Sequence, residues 1–89
     1  MSSPGITRKG IDAAGGILIS GSGDVFANNA EVVRIGDVVA PHGLPPHVVP
    51  PMVTGSSNVF TNNIPTCREG DVASCGHQAT GSSNVFVGD

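Results

Sequence analysis

The chain has no tryptophan, no tyrosine and only three phenylalanines among its 89 residues. Without the first two it has no large amphipathic rings to stack on sugars, which argues against a lectin-like or adhesin-like surface. Its core must come mostly from valine and isoleucine. Basic residues are also scarce: four Lys and Arg face seven Asp and Glu, for a net charge of −3. That balance has no cationic footprint for a phosphate backbone, so nucleic acid is not an expected partner. No apolar run approaches the roughly 20 residues of a membrane span. The opening Met1-Ser2-Ser3-Pro4-Gly5 lacks the charged and apolar regions of a signal peptide. The expected product is made in the cytoplasm and, if it leaves, leaves by another route.

What is abundant is glycine and proline, at 13 and seven residues. This composition leaves little room for long helices and favours tight turns. A single domain over residues 1–89 buries little surface, and scaffolds of that size usually need a metal, disulfides or oligomerisation.

An internal repeat sets the architecture. Gly21-Ser22-Gly23-Asp24-Val25-Phe26-Ala27-Asn28-Asn29 returns as Gly55-Ser56-Ser57-Asn58-Val59-Phe60-Thr61-Asn62-Asn63. It returns again as Gly81-Ser82-Ser83-Asn84-Val85-Phe86-Val87-Gly88-Asp89. The spacings are 34 and 26 residues; Arg8-Lys9-Gly10, Arg34-Ile35-Gly36 and Arg68-Glu69-Gly70 repeat at 26 and 34. Each unit reads as a short strand, an Asn-Asn turn, a return strand and a loop. The return strands are expected at 30–35 and 64–69. The third unit has its first strand at 81–87 and reaches Gly88-Asp89 where its turn belongs. Residues 5–10 then supply its return strand, so the termini meet at a third hairpin. The expected fold is all-β, a pseudo-threefold cone of short hairpins.

Three units give three loops at one end, at 11–16, 38–50 and 72–77. The second holds His42 and His47, the third Cys75 and His77, and the first has no ligand-type residue except Asp12. Three imidazoles and a thiolate form a complete tetrahedral set for zinc, with iron also compatible. The expected metal site is therefore His42, His47, Cys75 and His77, a staple at the apex. Of each Val-Phe pair (Val25-Phe26, Val59-Phe60, Val85-Phe86), one residue is expected in the core and the other outward. Three outward apolar side chains would form a three-part patch suited to a trimer. Arg8, Arg34 and Arg68 precede the loops and are expected in solvated salt bridges, with Asp37 and Asp71 capping their turns. Cys67 reads as a buried structural thiol, against a disulfide to Cys75 or replacement of Cys75 as ligand.

The order Gly-Ser-x-x-Val-Phe, Asn-Asn, Pro65-Thr66-Cys67-Arg68, Gly70-Asp71 resembles the PAAR-repeat proteins over about residues 5–89. The naming tetrapeptide is less clear at Glu31-Val32-Val33-Arg34. The resemblance implies a conical tip for contractile injection machines, on phage tail spikes or in type VI secretion. It implies one chain on a trimeric β-helical spike of the valine-glycine repeat or phage central spike type. The target cell envelope would be touched transiently. It also implies zinc near the vertex held by three His and one Cys, which map to His42, His47, Cys75 and His77. The first loop departs from many members in holding no ligand. No long extension follows the cone, so a bare tip is expected rather than a carrier of an effector domain.

Two other classes fit less well. A zinc hydrolase would need an open coordination position and a general base, and Asp37 and Asp71 serve better as turn caps. A small zinc-binding β-rich binding module would keep the metal and lose the spike. The protein is not expected to be an enzyme.

Overall fold

The computed structural model describes residues 4–45 and 47–87. Each unit opens on a serine-capped turn. Ser22, Ser56 and Ser82 are buried, and each Oγ accepts the backbone N–H groups two and three residues on. A short hydroxyl side chain is suited to this local bond. The turn feeds a two-residue strand. β1 (Phe26–Ala27) pairs antiparallel with β2 (Ala30–Glu31), Phe26 opposite Glu31 and Ala27 opposite Ala30. β3 (Phe60–Thr61) pairs with β4 (Ile64–Pro65), Phe60 opposite Pro65 and Thr61 opposite Ile64. The connecting Asn28, Asn29, Asn62 and Asn63 have φ of 53°, 66°, 55° and 63°. Two consecutive positive φ values are what a type I′ hairpin requires, and Asn tolerates them.

The third hairpin joins the two ends of the chain. Gly5 bridges Phe86, the Ile6 N–H donates to the Val85 carbonyl, and the Val87 N–H donates to the Pro4 carbonyl. The expected turn at Gly88-Asp89 lies outside the described residues.

The return strands are shorter than the expected 30–35 and 64–69. The paired strands are two residues long, and the next residue, Val32 or Thr66, still donates its N–H to the Val25 or Val59 carbonyl of its own unit; the chain then turns to the other units. Arg8 bridges Val32, Arg34 bridges Thr66, and Ile6 bridges Arg68. At the centre the bonds close into a ring. The Val33 N–H donates to the Thr7 carbonyl, Cys67 to Val33, and Thr7 to Cys67, at 2.9 to 3.1 Å. Thr7, Val33 and Cys67 have no exposed surface. A segment cannot both stay with its own hairpin and complete a three-membered ring, which is why the strands are cut short.

The side chains deep in the body are small. Leu18, Val33, Val39, Met52 and Cys67 form the core with Ala14, Ala73 and Ala79. Neither residue of any Val-Phe pair is buried, contrary to expectation. Phe26, Phe60 and Phe86 are each 55 to 56% exposed, and the residue after each phenylalanine turns inward instead, namely Ala27, Thr61 and Val87. The valine before it sits in the serine-capped turn, out of the strand's alternation.

Three ion-pair units tie the ring to the loops. The Arg8 Nε donates to Asp12 Oδ2, Arg34 to Asp37 and Arg68 to Asp71, at 2.8, 3.1 and 2.9 Å. In each, the same carboxylate oxygen accepts the arginine's own backbone N–H. The other oxygen accepts a hydroxyl, from Thr80, Ser20 and Thr54 respectively. That hydroxyl in turn accepts the N–H of Ala13, Val38 or Val72 at the start of the loop. These pairs are not the solvated bridges expected, since the three aspartates are buried. Asp12 completes the set although an extra residue, Ile11, separates it from Gly10. Burial alone would raise the Asp71 carboxyl, but the hydrogen bonds from Arg68 and Thr54 outweigh it and hold the group below its ordinary value. The partner bonds raise Arg8 and Arg34 further.

Asp71→Ala removes the carboxylate that accepts from Arg68 and Thr54 and leaves the half-buried Arg68 guanidinium without its counter-ion, so it is expected to cost about 1.5–3 kcal/mol. Because the folded pKa of Asp71 is lowered, its stabilisation is present above the unfolded value of about 3.9 and lost as pH falls through the folded one. Thermal melts should show the wild type losing stability below about pH 4, with that loss diminished in Asp71→Asn.

Candidate metal centre

The three loops are one closing turn drawn out to different lengths. The Ala14 N–H donates to Gly16, Val39 to Pro50 and Ala73 to His77. Between these bonds lie Gly15 alone, residues 40–49, and residues 74–76. Only the last two are long enough to aim side chains back over the apex; they carry His42, His47 and Cys75, and His77 closes the third turn.

Local backbone chemistry sets each donor. In the second loop the His42 N–H donates to the His47 carbonyl and the His47 N–H to the Leu44 carbonyl. This tight turn sets the two rings side by side, with centroids 4.9 Å apart. Val49, next to the buried Pro50, has φ of 48°, an uncommon conformation for a β-branched residue. In the third loop Gly76 takes φ of 95°, and its N–H donates to the Ala73 carbonyl. That reversal brings Cys75 and His77 to the same point.

The four donor groups converge. One ligand atom from each of His42, His47, Cys75 and His77 lies within 4.8 Å of the others. His42 Nε2 is 3.1 Å from His77 Nδ1 and 3.2 Å from His47 Nδ1. Cys75 Sγ is 3.6 Å from both His42 Nε2 and His77 Nδ1. A tetrahedral ion with metal–nitrogen bonds of about 2.0–2.1 Å and a metal–sulfur bond of about 2.3 Å spaces its nitrogens about 3.3 Å apart. The same geometry puts sulfur about 3.6 Å from each nitrogen. The residues fit a tetrahedral centre. His42 Nδ1 lies 2.9 Å from the Ala40 carbonyl, which can only accept, so that nitrogen carries the proton and Nε2 presents its lone pair to the cluster. Such a carbonyl is the usual outer partner of a ligating imidazole.

The first loop contributes no donor and closes the site. Gly15, at φ of 86°, lies so near that a Cβ there would overlap His77 Nδ1 and come 2.7 Å from His42 Nε2. At Gly16 a Cβ would be 2.9 Å from His42 Nδ1 and 2.6 Å from the Ala40 carbonyl oxygen. Asp12, the only ligand-type residue expected there, is held by Arg8 and lies outside the cluster. The Gly15-Gly16 pair in a donor-free loop was the available signal that this segment packs flat against the rings.

A family model described as the PAAR motif matches residues 11–80, from the first loop through the third. The chain belongs to the PAAR-motif family. Comparison with curated proteins gives no match. Family membership makes it a spike-tip-type protein in the general sense, on a fold without helices among the described residues. The four clustered residues all fall inside the matched stretch.

Cys67 sits where the PAAR pattern has an alanine and stands apart from the cluster. It is fully buried, and its thiol donates to the Thr54 carbonyl at 3.4 Å. Burial pushes its pKa up to about 12, with Asp71 and Asp37 adding to the shift. Both cysteines are free thiols.

Two expectations follow. Gly15→Ala should displace His77 and lower bound metal per chain at least about tenfold in a competition titration with a chromogenic chelator, whereas Gly23→Ala, where a Cβ meets open space, should not. Cys67→Ser should keep full metal content. In the metal-free folded protein, alkylation at pH 8 should label Cys67 well after Cys75, because Cys67 is fully buried and its thiol is held protonated by a pKa pushed up to about 12.

Proposed function

We propose that this PAAR-motif protein is the metal-stapled tip of a trimeric β-helical spike in a contractile injection machine, of the type VI secretion or phage tail kind. One chain serves one spike trimer. The observation that carries this reading is the set Phe26, Phe60 and Phe86, exposed at equivalent places on three hairpins of a single pseudo-threefold chain. Each return segment runs from its hairpin to its loop, so the phenylalanines and the four-residue cluster sit at opposite ends. A threefold apolar end matches the blunt end of a threefold spike. Covering the last strands of that spike would also remove edges prone to aggregation.

The other end meets the target envelope, and there the metal matters. The loop over residues 38–50 is rich in proline and exposes much of its apolar surface. A zinc ion bound by His42, His47, Cys75 and His77 would lock that loop to the third one; iron is compatible with the same donors. Four protein ligands leave no open position of the kind a catalytic zinc keeps, so the ion's role is structural and the protein is not an enzyme. Force applied along the spike is then concentrated on a small, locked apex. The product is made in the cytoplasm and leaves it on the spike.

Elemental analysis of purified protein should find about one zinc or iron per chain, and a strong chelator should lower the melting temperature. In a pull-down with a trimeric spike from the same genome, Phe60→Asp should abolish capture while leaving metal content and melting temperature near wild type. Undiminished capture by Phe26→Asp, Phe60→Asp and Phe86→Asp together would refute the docking face.

A further inference from the structure

The third hairpin is closed unlike the other two. An Asn-Asn turn joins the strands of the first and the second, whereas residues 4–6 and 82–87 come from opposite ends of the chain. The same backbone bonds are made in all three. The Ile6 N–H donates to the Val85 carbonyl, as Val32 does to Val25 and Thr66 to Val59. The Ser82 N–H donates to Ile6, as Ser22 does to Val32 and Ser56 to Thr66. What differs is the residue opposite each phenylalanine. Phe26 has Glu31, which pairs with Lys9, and Phe60 has Pro65, but Phe86 has Gly5. The backbones lie so close there that a Cβ on Gly5 would overlap the Ser82 carbonyl oxygen, and one on Gly81 would come 2.4 Å from the Gly5 oxygen. The third hairpin therefore has neither a turn nor a cross-strand side-chain pair to stabilise it.

Both of its strands run directly to the metal cluster. Only residues 78–80 separate His77 from Gly81, and they have no slack. The Ala79 N–H donates to the Asp71 carbonyl, and the Ala79 carbonyl accepts from Gly70. The Thr80 N–H donates to Ala13, its hydroxyl to Asp12, and its carbonyl accepts the Thr7 hydroxyl. The N-terminal strand continues into the first loop, where Gly15 lies against His77 and His42. When His42, His47, Cys75 and His77 share an ion, both strands are held from the apex, in place of the turn missing at the base. The other two hairpins keep their own turns with or without it.

We infer that metal occupancy at the apex governs closure of the third hairpin, so that metal-free protein holds Phe26 and Phe60 in place but releases Phe86. The consequence for assembly rests on the spike-tip reading. A tip without its ion presents two of three docking points, and docking is reserved for loaded protein. Such a coupling is reciprocal: closing the hairpin raises the affinity for the ion by the factor with which the ion favours closure.

Hydrogen exchange followed by NMR on the full chain, zinc-loaded and after a strong chelator, tests this. Removing zinc is expected to reduce protection of the Ile6, Ser82 and Val87 amides at least about tenfold more than that of Val32, Ser22, Thr66 and Ser56. Loss that is equal in all three hairpins, as in global unfolding, would overturn the inference, as would no loss. In the reverse direction, Gly5→Ala should weaken zinc binding at least about tenfold in a chelator competition, although residue 5 is at the other end of the molecule. Glu31→Ala, at the equivalent place in the first hairpin, should not. Unchanged zinc affinity in a Gly5→Ala protein whose third hairpin exchanges freely would also sink the coupling. Protein that loosens only at the third hairpin on stripping, yet is not captured by a trimeric spike even when loaded, keeps the coupling and loses the spike-tip reading. Captured protein whose three hairpins respond alike does the reverse.

Discussion

Everything in this protein hangs on a ring of three backbone hydrogen bonds at Thr7, Val33 and Cys67, held by three buried arginine–aspartate pairs. The ring gives three segments distant in the chain a common centre. The pairs then carry the order outward, since each aspartate binds its arginine, that arginine's backbone and a hydroxyl at the next loop. A core limited to residues such as Leu18, Met52 and a few valines could not by itself fix three loops in register. Buried charges with all their bonds made can, because any other arrangement leaves them unpaired.

The two ends of the molecule follow from what the ring leaves free. On one side each hairpin is short, so its phenylalanine has nothing to pack on and stays exposed. On the other, the three closing turns differ only in length, and length alone divides the labour. The longest and the intermediate loop supply donors, whereas the shortest, reduced to Gly15, lies flat over the rings. A threefold scaffold thus builds a centre with no threefold symmetry of its own. Four donors of two kinds cannot be shared equally among three loops.

The same economy accounts for the asymmetry of charge. Of the eleven Lys, Arg, Asp and Glu residues, six are committed to the three pairs, and Lys9 and Glu31 pair with each other. The loops beyond the pairs have none. The apex loops therefore carry proline, valine and leucine but no Lys, Arg, Asp or Glu, and the histidines and Cys75 cluster among them.

Much of this was legible in the sequence. Two matched series of repeats spaced 34 and 26 residues apart required three units and a closing hairpin from the termini. The Asn-Asn pairs marked the turns, and three histidines with a cysteine in two loops marked the cluster. These features depend on local backbone preference and on side-chain type, which a linear reading contains. Sequence pattern alone predicts longer return strands, one residue of each Val-Phe pair in the core, and solvated arginine pairs, and the structure differs on all three. Asp12 was not matched to Asp37 and Asp71 because Ile11 breaks the spacing. Each of those features is set by which segment of another unit arrives alongside, and only the closed ring decides that. Residue type and spacing determined that four donors belong to one centre. The tertiary structure decided the donor distances, the cover supplied by Gly15, and which face of each hairpin is left to solvent, because these depend on contacts between residues far apart in the chain.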